Sequence, residues 1–336
     1  MALLSIILPS YNEEANIANT AARLTQVLEG AEIPFELLFV SDGSRDNTYE
    51  EIRKLSFQDE RIRGIEFSRN FGKEAAIFAG LHLAQGNCCV VMDCDLQHPP
   101  EVIPEMYRLW KQGYDIVEGV KSDRGQESGL HRFFANAFYG LMSRVMKMDM
   151  RDTSDFKLLD RKVMDVLTGL TERNTFFRAL TFWAGFSSVS VPYQVQERTY
   201  GESKWSFWGL LKYAVSNTTS FTTVPLQMVT VTGIVFIAAS VILGAQTLFN
   251  YFTHNAVEGF TTVILLILIV GGLLMLSMGV IGHYIARIYE EVKGRPRYII
   301  AKDTGKETGR DAGKNPGKEI GKAAGKEERP REKETE

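Results

Sequence analysis

Two long stretches without a charged residue dominate the second half of this chain. The first runs from Tyr213 to Val257 and the second from Gly259 to Ala286. A helix needs roughly 20 apolar residues to cross the ~30 Å hydrocarbon core of a bilayer, and each stretch can supply them. We therefore predict two transmembrane helices, at about 226–249 and 263–283, within a segment 223–290. These lengths disfavour the alternative, two buried helices of a soluble protein.

Basic residues flank this predicted helical pair on one side only. Lys204 and Lys212 precede it, and no Lys or Arg lies in the connecting turn. The basic residues that follow the second helix are Arg287, Lys293, Arg295 and Arg297. Because Lys and Arg accumulate in cytoplasmic loops, both chain ends are predicted to lie in the cytoplasm of a multi-pass protein of the inner (plasma) membrane. Aromatic and basic residues in 201–222 favour an amphipathic segment at the lipid boundary over a core helix.

The first 200 residues alternate short apolar runs with helical patterns. This alternation predicts one cytoplasmic α/β domain, 1–200, with a mostly parallel sheet covered on both faces. The predicted strands are Ser5–Leu8, Phe35–Val40, Ile62–Phe67, Cys88–Met92 and Ile116–Val120. The predicted helices are Glu13–Leu28, Asn47–Leu55, Lys73–Ala84, Glu101–Lys111 and Leu130–Met146.

Two aspartates one residue apart, Asp93 and Asp95, come directly after the apolar run Cys88–Met92. Ligands of such sheets bind beyond the carboxyl ends of the strands, where Asp42 also falls. A short acidic pair suits Mg²⁺ or Mn²⁺, which takes one or two carboxylates together with phosphate oxygens. The alternative is a solvated acidic turn. We expect His98 to be an exposed turn residue rather than a ligand.

The chain contains three cysteines, Cys88, Cys89 and Cys94, all near the end of this predicted strand. Neighbouring Cys88 and Cys89 should point to opposite faces of a strand, so we interpret them as small buried apolar residues rather than a disulfide. This use of cysteine is consistent with a reducing cytoplasm.

The last segment, 301–336, repeats a glycine followed by a basic residue about every four positions. It has no aromatic residue and nearly balanced charge, so we predict that it is disordered. Interspersed Asp and Glu weaken any affinity of its lysines for nucleic acid or anionic lipid, and we expect no nucleic-acid partner.

Four motifs in chain order resemble the signature of inverting family-2 glycosyltransferases. They are Leu8–Glu14 (LPSYNEE), Val40–Thr48 (VSDGSRDNT), Arg69–Ala76 (RNFGKEAA) and Asp93–Glu101 (DCDLQHPPE). More narrowly, the chain is similar to polyprenyl-phosphate glycosyltransferases, the group of dolichyl-phosphate mannose synthases and bactoprenol glucosyltransferases. The resemblance covers roughly residues 3 to 290, including the predicted membrane helices.

The resemblance implies the GT-A fold of nucleotide-diphospho-sugar transferases, with a nucleotide sugar and a polyprenyl phosphate as substrates. By position, it implies these donor-binding residues: Pro9, Tyr11, Glu13, Asp42, Asp93 and Asp95. Asp93 and Asp95, supported by Gln97, correspond to the site for Mg²⁺ or Mn²⁺. Asp42 in a local Asx-turn is the alternative that the residues leave open. Assembly as a homo-oligomer is also left open.

On the acceptor side, the resemblance implies basic and hydroxyl contacts to the lipid phosphate. These are Lys121, Arg124, Arg132, Arg198, Ser203 and Lys204, for each of which a solvated charged surface is the alternative. Asp155 matches the family position proposed as catalytic base, and Asp95 of the metal site is the other residue expected to take part in catalysis. A lipid phosphate has a second pKa near 6 and is largely dianionic at neutral pH. Since its oxygen is already a nucleophile, our hypothesis is that Asp155 orients the acceptor or its cationic partners.

These expectations combine into an enzyme that moves one sugar from a nucleotide donor to undecaprenyl phosphate with inversion. The expected donor is UDP-glucose or UDP-N-acetylglucosamine, with GDP-mannose as the alternative. A processive polysaccharide synthase is disfavoured because Gln194–Thr199 lacks the tryptophan of a Gln-x-x-Arg-Trp motif. A non-catalytic membrane scaffold is disfavoured because the four aspartates are intact.

Overall fold

The computed structural model describes residues 2–121, 154–172, 175–194, 224–253 and 259–307. In this part of the chain, one eight-stranded sheet has the order β7-β5-β6-β4-β1-β2-β3-β8. The strands are β1 Leu4–Ser10, β2 Phe35–Ser41, β3 Ile62–Phe67, β4 Cys88–Val91, β5 Ile116–Lys121, β6 Lys157–Asp160, β7 Ser188–Tyr193 and β8 Ile300–Asp303. The central strands β4, β1, β2 and β3 are parallel, and β5 and β7 form a second parallel pair. Strand β6 runs antiparallel to β4 and β5, and β8 runs antiparallel to β3.

Helices cover both faces of the sheet. They are α1 Glu14–Gly30, α2 Thr48–Gln58, α3 Lys73–Leu83, α4 Ile103–Lys111, α5 Arg161–Gly169, α6 Phe177–Trp183, α7 Val224–Phe252, α8 Phe260–Val292 and α9 Thr304–Glu307. Alternate residues of β1 enter opposite cores: Ile6 joins the core beneath α1, α2 and α4, whereas Ile7 joins the core beneath α3, α5 and α6. All seven residues of β1 are buried, as a central strand covered on both faces requires.

The predicted fold class is confirmed, and the five predicted strands occur within two residues of their predicted ends. Predicted helix Leu130–Met146 lies outside the described residues. Strands β6, β7 and β8 were not predicted. Strands β6 and β8 have only four residues each, and β7 is an edge strand with mostly polar or partly exposed positions. Short and edge strands carry too few alternating apolar residues to stand out in a sequence.

The cysteine interpretation is consistent with the structure. Cys88, Cys89 and Cys94 are all buried and none is in a disulfide. Cys88 and Cys89 lie in the two different cores, on opposite faces of β4.

The prediction of disorder for 301–336 is wrong for its first residues, while 308–336 lies outside the described residues. Residues Ile300–Asp303 form β8, which pairs with β3 and is an edge strand of the sheet. Arg63 makes two hydrogen bonds to Asp303, from Nε to Oδ1 at 3.1 Å and from Nη2 to Oδ2 at 2.9 Å. The amide of Gly64 donates to the Thr304 hydroxyl at 2.9 Å. Composition predicted too little apolar burial for order, but strand pairing and a buried ion pair supply the missing stabilisation.

Helices α7 and α8 contain the two predicted transmembrane segments. Both are long and apolar enough to cross a membrane, over Leu226–Gln246 and Ile269–Val292, and neither window is buried within the protein. Helix α7 has 29 residues, which at 1.5 Å per residue corresponds to about 43 Å. The amphipathic segment predicted at 201–222 lies outside the described residues.

The chain that leaves α8 returns to the sheet. The Tyr298 ring stacks on Phe67 with 5.1 Å between centroids. The Arg297 guanidinium lies over the Phe78 ring and also donates to the Leu170 carbonyl. The end of the second apolar helix is therefore attached to the α/β domain through residues 297–304.

Replacing Arg63 with alanine should destabilise this attachment. The Asp303 side chain is 2% exposed and its Arg63 partner 12%, so the substitution leaves a buried carboxylate without its cation. Removing one partner of such a pair costs about 3 kcal/mol. We expect a clearly lower melting temperature for the purified Arg63→Ala protein in detergent.

A matched control is Lys302→Ala, next to Asp303 in β8. Lys302 pairs with Glu66 at 2.7 Å, but its side chain is 50% exposed. Exposed pairs contribute about 0–1 kcal/mol, so the melting temperature should change little. Equal effects of the two substitutions would contradict the importance of the Arg63–Asp303 pair.

Candidate functional site

Acidic side chains meet at the carboxyl edge of the parallel strands. Asp42 follows β2, and Asp93 and Asp95 follow β4, with β1 lying between these two strands. The loop after β1 contains Tyr11 and Glu13. The sheet order thus brings three loops that are far apart in sequence to a single edge.

Asp42 holds a neighbouring loop in place. Its Oδ1 accepts a hydrogen bond from the Phe71 amide at 2.6 Å, and its Oδ2 accepts one from the Gly72 amide at 2.8 Å. Burial raises the pKa of Asp42 even though these bonds favour the carboxylate. Gly43 has φ +62°, and a Cβ there would lie 2.3 Å from the Arg69 carbonyl carbon. Asp42 and Gly43 therefore allow the Arg69–Ala76 segment to pack closely against them. Their role extends beyond a local Asx-turn.

The loop after β1 is tied to the loop after β2. The Asn12 side-chain oxygen accepts from the Arg45 amide at 2.8 Å, and the Glu13 amide donates to the Thr48 hydroxyl at 2.9 Å. Pro9 is buried within β1, whereas the Tyr11 ring is exposed at the edge. The donor-binding roles implied for Pro9, Tyr11 and Glu13 remain predictions.

A lysine bridges two aspartates at this edge. The Lys73 Nζ lies 2.6 Å from Asp93 Oδ1 and 2.8 Å from Asp155 Oδ2. Lys73 is the first residue of α3, and its side chain is 41% exposed. Burial opposes a charge on the ammonium, but the two carboxylates outweigh it and raise the pKa of Lys73. Lys73 is therefore cationic and links the end of β4 to the start of β6.

Asp155 is held on its other side by Arg178. The guanidinium donates from Nε to Oδ1 at 2.6 Å and from Nη2 to Oδ2 at 2.9 Å. Burial opposes ionisation of Asp155, but Lys73 and Arg178 hold its pKa well below the usual range. A carboxylate engaged in this way is a poor proton acceptor at neutral pH.

Glu74 positions the helix that carries Arg178. Its Oε2 accepts a hydrogen bond from the Phe177 amide at 2.9 Å, at the start of α6. Burial and the nearby Asp155 carboxylate raise the pKa of Glu74 to about 7. Glu74 is therefore the acidic group of this region that titrates near neutral pH.

The expectation that His98 is exposed is wrong. The ring is buried and stacks on Phe156, with 5.0 Å between centroids and 12° between planes. Its Nδ1 lies 3.5 Å from the Asp93 amide nitrogen. Burial lowers the pKa of His98, so the ring is neutral at neutral pH. The motif did not indicate that His98 is buried, because Phe156, which covers it, directly precedes β6, a strand that was not predicted.

The donor atoms at the edge fit a divalent cation bound together with a ligand. Within the described part of the chain, no group of three or more His, Cys, Asp or Glu side chains could hold a metal alone. Asp93 and Asp95 offer two carboxylates, and Asp95 Oδ1 accepts a hydrogen bond from the backbone N–H of Gln97 at 3.1 Å. Two carboxylates suit Mg²⁺ or Mn²⁺, which completes its shell with water and phosphate oxygens.

Only part of the predicted acceptor set can be located. Lys121 is exposed at the end of β5. The remaining members lie outside the described residues: Arg124, Arg132, Arg198, Ser203 and Lys204. Sequence reasoning missed Lys73 and Arg178 as site residues. Lys73 lies inside a quoted motif and could have been noticed, whereas Arg178 carried no signal because only the fold brings α6 to Asp155.

The chain is similar to known glycosyltransferases. The family model described as glycosyl transferase family 2 matches residues 5–169. An uncharacterized glycosyltransferase of Bacillus subtilis, YkcC, is 42% identical over 303 residues, or 90% of this chain and 94% of that protein. A prophage-derived bactoprenol glucosyl transferase of Shigella flexneri is 36% identical over 301 residues, or 89% of this chain and 97% of that protein.

The chain is also similar to solved structures. One is glucosyl-3-phosphoglycerate synthase from Mycobacterium tuberculosis, crystallised with Mn²⁺, UDP and phosphoglyceric acid. The TM-score is 0.45 at 19% identity, over 60% of this chain and 72% of that one.

Replacing Glu74 with glutamine should flatten the pH dependence of stability. With a folded-state pKa raised from 4.5 to about 7, the protonated group stabilises the fold most fully below pH 4.5. That contribution is lost as pH rises through 7, amounting to about 3 kcal/mol at most. We expect the melting temperature of Glu74→Gln to fall less between pH 5 and pH 8.5 than that of the wild type.

The partly exposed Glu105 provides a matched control on α4. Its side chain pairs with Arg108 in the same helix. Glu105→Gln should therefore retain the wild-type pH dependence. If Glu74→Gln did so too, the raised pKa of Glu74 would be refuted.

Proposed function

The chain belongs to glycosyltransferase family 2, and we propose that it transfers one sugar from a nucleotide-diphosphate sugar to a polyprenyl phosphate with inversion. The Lys73 bridge between Asp93 and Asp155 is the observation that carries the proposal. It joins Asp93, where we expect the donor to bind, to Asp155, where we expect the acceptor to bind. Relatives named bactoprenol glucosyl transferase, 36% identical over most of the chain, support this acceptor and glucose as the sugar. UDP-glucose is the donor we favour, ahead of UDP-N-acetylglucosamine and GDP-mannose.

On the donor side, Asp93 and Asp95 would hold Mg²⁺ or Mn²⁺, with Gln97 in support. When bound, such an ion neutralises negative charge on the leaving diphosphate. Asp42 fixes the Arg69–Ala76 segment, which would lie next to the donor. Tyr11 and Glu13 would line the nucleotide pocket from the loop after β1, next to Pro9.

On the acceptor side, the lipid phosphate supplies its own nucleophile. A phosphate oxygen forms the new bond to the anomeric carbon while the bond from that carbon to the diphosphate oxygen breaks. The nucleoside diphosphate leaves with the electron pair, and no proton needs to be removed from the acceptor. This single displacement inverts the anomeric centre.

Asp155 acts in this scheme as a positioning residue. It holds Lys73 and Arg178 next to each other, and it faces cations on both sides. Two cations held in this way can receive an anionic phosphate without first being reoriented. The exposed Lys121 and the predicted basic residues of 122–204 would complete the acceptor site.

Helices α7 and α8 would anchor the α/β domain at the membrane that contains the acceptor. The division into 1–200, 201–222 and 223–290, with both ends in the cytoplasm, is part of the proposal. Residues 297–304 attach the end of α8 to the sheet, which would hold the catalytic edge at a fixed distance from the lipid surface.

The direct test uses membranes that contain the full chain. We expect a glycolipid of polyprenyl-phosphate-hexose mass when they are supplied with undecaprenyl phosphate, Mn²⁺ and UDP-glucose. UDP-N-acetylglucosamine and GDP-mannose are tested in parallel, and EDTA should abolish product formation because two carboxylates alone bind the donor poorly. Absence of any glycolipid with all three donors, or full activity in EDTA, would refute the proposal.

Substitutions of two aspartates should separate positioning from metal binding. Asp155→Asn keeps the shape and one acceptor oxygen, so we expect kcat to fall only about tenfold. Asp95→Asn removes a proposed metal carboxylate, so we expect a loss of about a thousandfold or more in kcat/KM. Both are measured by glycolipid formation in detergent.

Nucleotide binding and melting temperature serve as controls for this pair. If Asp155→Asn abolished turnover while it bound the nucleotide normally, Asp155 would be a catalytic base and the positioning role would be wrong.

A further inference from the structure

Tyr193 is the last residue of β7 and lies behind the acidic edge. Val191 and Tyr193 belong to the core beneath α1 and α4. The Tyr193 ring packs edge-on against His98 at 5.8 Å and against Phe156 at 5.5 Å. His98 in turn contacts the backbone amide of Asp93, a predicted metal ligand. The His98 ring therefore lies between the Tyr193 ring and the predicted metal site.

The hydroxyl group of Tyr193 has no hydrogen-bond partner within the described part of the chain. The residue is 3% exposed, and its Oη is buried without a hydrogen bond among the residues that the structure describes. Burying a polar atom without a partner is unfavourable, and phenylalanine would fill the same aromatic site without that cost. The hydroxyl therefore needs an explanation beyond the packing of the residues that the structure describes.

The Tyr193 hydroxyl interacts electrostatically with three carboxylates and with the Arg178 guanidinium. Burial and the carboxylates of Asp93, Asp155 and Asp95 raise the pKa of Tyr193 to about 12. The phenol thus keeps its proton at neutral pH and offers a neutral hydrogen-bond donor close to the edge where the nucleotide sugar is expected.

We propose that the Tyr193 hydroxyl donates a hydrogen bond to an oxygen of the bound nucleotide sugar, and that Tyr193 is a donor-binding residue. This inference rests on the proposed function. It assigns a contact to a residue outside the four motifs. Tyr193 is the last residue of β7, which lies at the opposite end of the sheet from β2 and β3. The partner is an oxygen of the diphosphate or of the sugar.

The test compares Tyr193→Phe with the wild type as full-length protein in detergent. UDP and GDP are first titrated calorimetrically with Mn²⁺ to find the nucleotide that binds, and the corresponding nucleotide sugar is then titrated. A lost hydrogen bond to a charged diphosphate oxygen should weaken binding about tenfold, and one to a neutral sugar oxygen less. The melting temperature without ligand should stay equal or rise, because the substitution removes a buried group without a partner.

The ligands distinguish the two kinds of oxygen. Weaker binding of both the nucleoside diphosphate and the nucleotide sugar would support a diphosphate contact, and weaker binding of the nucleotide sugar alone would support a sugar contact. Unchanged affinity for both would overturn the inference while leaving the proposed function intact. A wild-type chain that binds neither UDP nor GDP would overturn the proposed function and this inference with it.

Tyr107→Phe is the matched control. Its hydroxyl donates to the Ala2 carbonyl at 2.7 Å, on the α4 face. We expect this variant to melt at a lower temperature and to bind nucleotide as the wild type does. If Tyr193→Phe behaved in the same way, its hydroxyl would be structural and the inference would be wrong.

Discussion

The Lys73 ammonium is the interaction on which the organisation of the site depends. It joins Asp93 after β4 to Asp155 before β6, two segments that are far apart in the sequence. Without this cation, two carboxylates would face each other in a partly buried space, which is strongly unfavourable. Arg178 completes the arrangement from α6, whose first turn is fixed by Glu74. The positions of α3, α6 and two strand ends are therefore coupled through charge pairing.

The sequence predicted structure correctly where a short residue pattern also determines the position of the segment in the sheet. Apolar runs such as Phe35–Val40 could be interpreted as parallel strands because both faces of a central strand are buried. Polar residues directly after those runs, Asp42 and Asp93, then had to lie at the carboxyl edge. Both inferences need only the alternation of side chains along a strand and the general position of ligands in parallel sheets.

Features that arise from long-range pairing could not be predicted in this way. Arg178 has an ordinary helical context, and only the contact of α6 with the start of α3 brings it to Asp155. His98 lies in a polar turn motif, yet Phe156 and Tyr193 bury it. Asp303 lies in a segment of disordered composition, yet Arg63 on β3 orders it. In each case, the deciding partner comes from a strand or helix distant in sequence.

The balance of charges at the site connects the geometry to the proposed chemistry. Lys73 and Arg178 carry two positive charges, and Asp93 and Asp155 carry two negative ones, so this set is neutral as it stands. A divalent ion on Asp93 and Asp95 would share Asp93 with Lys73 and leave the two cations less compensated. They would then attract an anionic phosphate more strongly. In the proposed scheme, the divalent ion and the anionic acceptor would therefore favour each other's binding through electrostatics.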